Sequence, residues 1–200
     1  DSYAPIASAI ETICNAQVGN YLVFFPSYAY MTAVLELVKE RLPEEQLLVQ
    51  SRGMTETERE DFLNQFSTDN SETMIGFAVM GGIFGEGIDL VGERLIGAIV
   101  VGVGLPKMGL ERDLIRDYFN KENGNGFAYA YQYPGFNRVL QATGRVIRTE
   151  TDRGIIVLID ERFSHARYRR LFPPHWEEVQ VVQSESEIKN RLEQFWPQAL

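Results

Sequence analysis

The chain has 200 residues, 44% of them hydrophobic and 24% charged, an ordinary balance for one globular domain. Its 19 basic and 28 acidic side chains leave a net charge of −9, the wrong sign for a protein held to nucleic acid over its whole surface, so any such binding must be local. One cysteine, Cys14, excludes an internal disulfide framework, and with only His165 and His175 beside it no metal site of protein nitrogen and sulfur is expected.

In chain order, Cys14 reads as a core residue on a helix, and the first strand falls at Asn20 to Phe25 (NYLVFF), ended by Pro26. Apolar residues at helical spacing then run from Ala29 to Leu42. Leu47 to Val49 is a second short strand, and Thr55 with Glu58 three residues on forms a capping box that opens a helix through Phe66. Thr73 to Met80, Leu95 to Val101 and Gly154 to Asp160 are nearly continuous apolar runs, the pattern of parallel strands buried on both faces. Between the last two lie helical stretches at Leu110 to Asn120 and Phe136 to Ile147, separated by the turn-rich Asn123-Gly124-Asn125-Gly126 and the aromatic Phe127 to Tyr133. After Pro173-Pro174, Val179 to Val182 reads as an edge strand and Glu185 to Trp196 as a helix. The expected fold is α/β, with a mostly parallel central sheet and helices on both faces.

The longest apolar run, Leu95 to Pro106, is bracketed by Arg94 and Lys107 and is far short of the ~20 residues of a membrane helix. No leader pattern opens the chain, and a soluble, cytoplasmic protein without a membrane partner is expected. The first residue is Asp1 rather than methionine, which points to a segment of something longer.

Two segments carry chemistry. Taken as one helix, Phe136 to Arg148 puts Arg138, Gln141, Arg145 and Arg148 within an arc of about 80°, opposite Val139, Leu140, Thr143, Val146 and Ile147. A merely solvated face usually mixes Glu with Lys; this one holds no acid and needs an anion from elsewhere. Arginine suits phosphate, because its planar fork donates two hydrogen bonds in fixed geometry. Residues 134 to 170 carry a net +4, leaving −13 on the remainder. The plain alternative is arginines scattered over solvated helix faces. Gly144, at a cost of about 1 kcal/mol inside a helix, points either to close backbone approach by a ligand or to tight helix–sheet packing. The second segment, Gly81 to Asp89 (GGIFGEGID), follows a strand and exposes backbone N–H groups suited to a nucleotide or phosphodiester, or else is a flexible connection. It fits neither common phosphate-loop fingerprint. Gly102-Val103-Gly104 lacks the third glycine of a dinucleotide loop, Asp160 reads as the end of a core strand, and no G-x-S-x-G occurs.

Phe24-Phe25-Pro26-Ser27-Tyr28, Glu86-Gly87-Ile88-Asp89, Gln141-Ala-Thr-Gly144-Arg145-Val-Ile-Arg148 and Asp152-Arg153-Gly154 together resemble, in order and spacing, the second motor domain of the XPD/DinG helicases of superfamily 2. The resemblance runs from about Tyr21 to about Phe172, with residues 173–200 closing the same domain. It implies a RecA-like three-layer domain that, paired with a first motor domain of the same polypeptide, uses ATP hydrolysis to move along single-stranded DNA. Arg145 and Arg148 are then arginine fingers toward the γ-phosphate, with Gln141 positioning them or the attacking water. Asp89, Glu86, Gly87 and Gly144 fall on the nucleotide side. Ser27, Tyr28, Arg52, Gly82 and Gly85 fall on the DNA side, although Gly85 stands where the family often has alanine or serine, and Ser27 and Tyr28 also fit a helix cap and a packed ring. The resemblance places most of the binding of ATP with Mg2+, and any iron–sulfur cluster, in the absent first half, so this chain alone is expected to be inactive. The alternatives are a non-catalytic α/β interaction or anion-binding module, and an RNA translocase domain.

Overall fold

The computed structural model of the chain describes residues 2–84, 90, 94–144, 146, 152–176 and 178–196. Five strands, β1 (Asn20–Phe25), β2 (Leu47–Val49), β3 (Met74–Val79), β4 (Gly97–Val101) and β5 (Ile155–Ile159), form one sheet in the order β2-β3-β1-β4-β5. Every pairing is parallel. Parallel neighbours need crossover connections, and these cover both faces. The result is the three-layer, RecA-like α/β architecture expected from the motifs.

Alternation along β1 divides the core. Tyr21, Val23 and Phe25 point to one face, where they meet α1 (Tyr3–Asn15), α2 (Tyr28–Lys39) and α7 (Glu185–Phe195) through Ile10, Ile13, Val34 and Leu192. Leu22 and Phe24 point to the other, against α3 (Glu56–Asn64) and α5 (Tyr133–Thr143) through Phe62, Phe136 and Val139. The Thr55 capping box is formed: the threonine hydroxyl accepts from the Glu58 N–H, and the Glu58 carboxylate accepts from the Thr55 N–H at 2.7 Å. Cys14 is buried in the first core, and burial pushes its thiol up beyond the ordinary range, as suits an inert packing residue.

α4 (Leu110–Asn123) lies apart. It packs on a π-helical turn (Ala128–Gln132) that leads into α5 and buries no residue of its own. It ends at Gly124, whose φ of +73° is the left-handed cap that glycine adopts without steric cost. Beyond β5 come a 3₁₀ turn (Glu161–Ser164) and the one-turn helix α6 (Ala166–Arg169). Among the described residues no helix is long and apolar enough to cross a membrane.

Two expectations are corrected. The helix expected through Ile147 stops at Thr143, where the Gly144 N–H closes the last turn on the Leu140 carbonyl and the Thr143 hydroxyl turns back to the Val139 carbonyl at 3.0 Å. Glycine is a poor helix former, and a hydroxyl bonded to the preceding turn competes with continuation. Residues 179–182 form no strand: Val181 is exposed, and among the described residues no strand pairs with it to supply a ladder.

Candidate nucleic-acid and nucleotide interface

Because all strands run the same way, the loops after them gather on one edge, the usual place for ligands in an open α/β sheet. At the opposite edge the polar groups are used within the fold: the Asn20 amide donates to the carbonyls of Ser67 at 2.9 Å and Arg94 at 3.1 Å. The carboxyl edge keeps several donors accessible.

Its organising residue is Gln50, just after β2 and buried. The Gln50 carbonyl oxygen accepts from the Val79 N–H at 2.8 Å, and its amide donates to the Tyr28 hydroxyl at 2.8 Å. One side chain thereby fastens the end of β2 to the last residue of β3 and to the start of α2, which follows β1. The Arg52 guanidinium, itself exposed, lies 4.6 Å from the centre of the Tyr28 ring, which orders the cation without neutralising it. Tyr28, Thr32, Glu36, Gln50 and Arg52 line an open groove of about 540 Å³. Ser27 caps α2, its hydroxyl oxygen accepting from the Tyr30 N–H at 3.2 Å. Gly82 sits against Gln50, where a β-carbon would come within 3.3 Å of the amide nitrogen.

From the other face, α5 enters this edge at its first turn. The Gly135 carbonyl lies so close to Gly104 that a β-carbon there would meet it at 2.6 Å, and Gly104 has a φ of +68°. This backbone-to-backbone contact lets Arg138 reach the loops: it donates to the Gly104 carbonyl at 3.3 Å and lies against Gly81, whose φ is +69°. Gln141 is exposed one turn further along α5. Among the described residues, a β-carbon at Gly144 would meet the Leu140 carbonyl of its own helix, at 3.1 Å. The glycine's place is at the helix end. Arg145 and Arg148, and Gly85, Glu86, Gly87 and Asp89, lie outside the described residues.

A second crevice, about 170 Å³, opens between the ends of β1, β4 and β5, lined by Pro26, Tyr30, Gly102, Gly104, Asp160 and Arg162. Arg162 holds the Asp160 carboxylate with two bonds, at 2.8 and 2.7 Å, and donates its backbone N–H at 2.9 Å. Burial alone would raise the Asp160 carboxyl, yet these bonds outweigh it and hold the group below its ordinary value.

The model of the "Helicase C-terminal domain" family matches residues 10–179. The chain belongs to this helicase family. It is 31% identical, over 96% of its length, to "Regulator of telomere elongation helicase 1" of Bos taurus, and 25% identical, over 90%, to "ATP-dependent DNA helicase chl1" of Aspergillus clavatus. It spans 17% and 28% of those relatives. A solved XPD helicase superposes with a TM-score of 0.63 at 26% identity, covering 84% of this chain and 29% of that one. The helicase domain's sequence contains no phosphate loop, and the donors gathered at its described edge are guanidinium and amide groups. Such groups fit phosphate oxygens.

Gln50 and Arg138 are the residues of this edge that the sequence expectation left out of the site. Arg138 was legible as a member of an arginine row. Gln50 carried no local signal beyond being a polar residue directly after a short apolar strand.

Proposed function

We propose that the chain is the second motor domain of an ATP-dependent DNA helicase, supplying arginines to ATP held by a first motor domain and forming part of the single-stranded DNA track. One observation carries this reading. Segments far apart in sequence, after β1, β2 and β3 and on α5, are tied into a single polar edge by Gln50, the Arg52–Tyr28 pair and Arg138. Membership of the helicase family supports it.

In this reading Tyr28, Arg52 and Gly82 face the DNA, with Ser27 and Gly85 beside them. Gln141, Arg145 and Arg148 face the nucleotide, with Asp89, Glu86, Gly87 and Gly144 around them. Bound ATP supplies the phosphoryl group whose transfer to water drives movement. The contribution of this chain is to set guanidinium donors where negative charge builds on the phosphoryl oxygens, an effect worth about 10³ to 10⁵ in rate for a well-placed arginine.

The test uses the full-length protein with both motor domains. Arg148→Ala is expected to lower DNA-stimulated ATP turnover by at least about tenfold, with unchanged thermal unfolding. Turnover equal to the unmodified protein would overturn the motor reading and favour a non-catalytic module.

A further inference from the structure

Residues 162–176 (RFSHARYRRLFPPHW) hold four arginines, both histidines of the chain, four aromatic rings and no acid, within a chain of net charge −9. The rings fix the segment. Phe163 and Tyr168 are buried against the sheet, and Phe172 stacks on Phe136 of α5 with ring centres 5.7 Å apart. With the apolar side chains turned inward, Arg167 and Arg170 are left exposed, and His165 and His175 with them. Arg162 is taken by Asp160, but among the described residues no carboxylate pairs with Arg167, Arg169 or Arg170. Arg167 lies 5.6 Å from the Tyr168 ring centre and Arg169 lies 5.4 Å from that of Phe172, contacts that order a guanidinium while leaving its charge free.

The segment is also fastened to the π-helical turn: the Gln132 amide donates to the Arg167 carbonyl at 2.8 Å. Tyr133, the next residue, is exposed and packs edge-on against Tyr129 at 5.2 Å, so an accessible ring stands one residue from the point where the arginine segment is fastened. Three like charges within four residues repel one another and are relieved by an anion from outside. An acidic protein surface needs only the cations. A single strand of nucleic acid uses both parts, phosphates on arginine and bases on an exposed ring. The surface follows β5, so it lies on the same carboxyl edge as Arg52, at the far end of the strand order. Five strands about 4.8 Å apart make that edge roughly 19 Å long.

The structure assigns to this surface, centred on Arg167, Arg170 and Tyr133, a second contact with single-stranded nucleic acid that extends the track across the sheet to its β5 end. The assignment rests on the motor reading above. Its test takes the full-length protein with Arg167→Ala/Arg170→Ala and measures binding of a labelled oligothymidylate across a series of salt concentrations. Affinity is expected to fall about tenfold, and the slope of log K against log salt to become shallower by about 1.4, the value for two lost phosphate contacts on a single strand. Lysine at both positions restores most of the affinity and the slope, and Tyr133→Ala weakens binding without changing the slope. Unchanged affinity and slope overturn the assignment, as does a weaker affinity at unchanged slope, which marks a structural role. Loss of an acidic protein partner with oligothymidylate binding intact overturns it in favour of a protein dock. Arg148→Ala in the same protein keeps the two readings apart: retained ATP turnover there removes the motor, whereas an unaltered salt slope in the arginine pair removes only this surface.

Discussion

β1 and α4 carry large apolar side chains into opposite surroundings. β1 lies in the middle of the sheet and buries all six of its residues, while α4 buries none and leaves Leu110, Leu114 and Tyr118, one helical stripe, in contact with solvent. Tertiary packing specifies β1, since either face of the strand meets a layer of helices. α4 is held by local means: acids in its first turn, Lys121 in its last, an Arg116–Asp113 pair at 2.9 Å, the Gly124 cap, and Phe119 stacked on Tyr129 at 3.9 Å. Periodicity reports that a helix has two faces. It does not report that the apolar one is covered.

The contrast is most easily broken at Phe24, which is fully buried in the core beneath α3 and α5. Phe24→Ala removes a whole ring from a site closed on every side, and a loss of about 3–5 kcal/mol is expected in urea unfolding of the chain. That is a large share of the stability of an ordinary domain. A loss below about 1 kcal/mol would mean that the β1 environment is far looser than its burial implies.

Burial on both faces is also why the strands were legible in the sequence. A strand covered above and below must be apolar at every position, so β1, β3, β4 and β5 stand out between turn residues to within two residues of their observed ends. The capping box of α3 was legible for a different reason, because its chemistry is complete within four residues, Thr55 to Glu58. The misplaced ends show where local pattern stops. Apolar spacing continues past Gly144 to Ile147, yet the helix ends where the glycine and the back-bonded Thr143 hydroxyl make continuation costly. The alternating valines near 181 have a strand pattern and, among the described residues, no strand to pair with. α1 went undelimited beyond Cys14, because Pro5 and its small residues blur a helical signal, although proline is tolerated in a first turn. In the site, the motif residues were recognisable as a string, but the role of Gln50 depends on three segments that meet only after the sheet is formed.

Between the two extremes stands the Asp160–Arg162 pair at the end of β5, half covered and bonded through short contacts. Asp160→Asn keeps a competent cap for the 3₁₀ turn and removes the charge, so about 1 kcal/mol is expected at neutral pH. The pH dependence gives the sign. A carboxyl held below its ordinary value stabilises the folded chain above the unfolded value, near 4, and that contribution disappears as the pH falls through the folded value. The stability difference between the two proteins therefore holds from pH 7 down to about 5 and closes below about 4. A difference that grew on acidification would show that the pair does not depress Asp160.

The smallest effect is expected on α4. Leu110 and Leu114 are 77% and 62% exposed, and glutamine has nearly the same helix propensity as leucine. Leu110→Gln/Leu114→Gln therefore removes little buried area and leaves the backbone preference unchanged, so unfolding of the chain should shift by less than about 0.5 kcal/mol. The same stripe on β1 would be worth several times as much, because there each ring or methyl is taken fully out of water. A loss of 2 kcal/mol or more from the double substitution would place α4 against a packed surface, and its apolar stripe would then belong with β1 rather than opposite it.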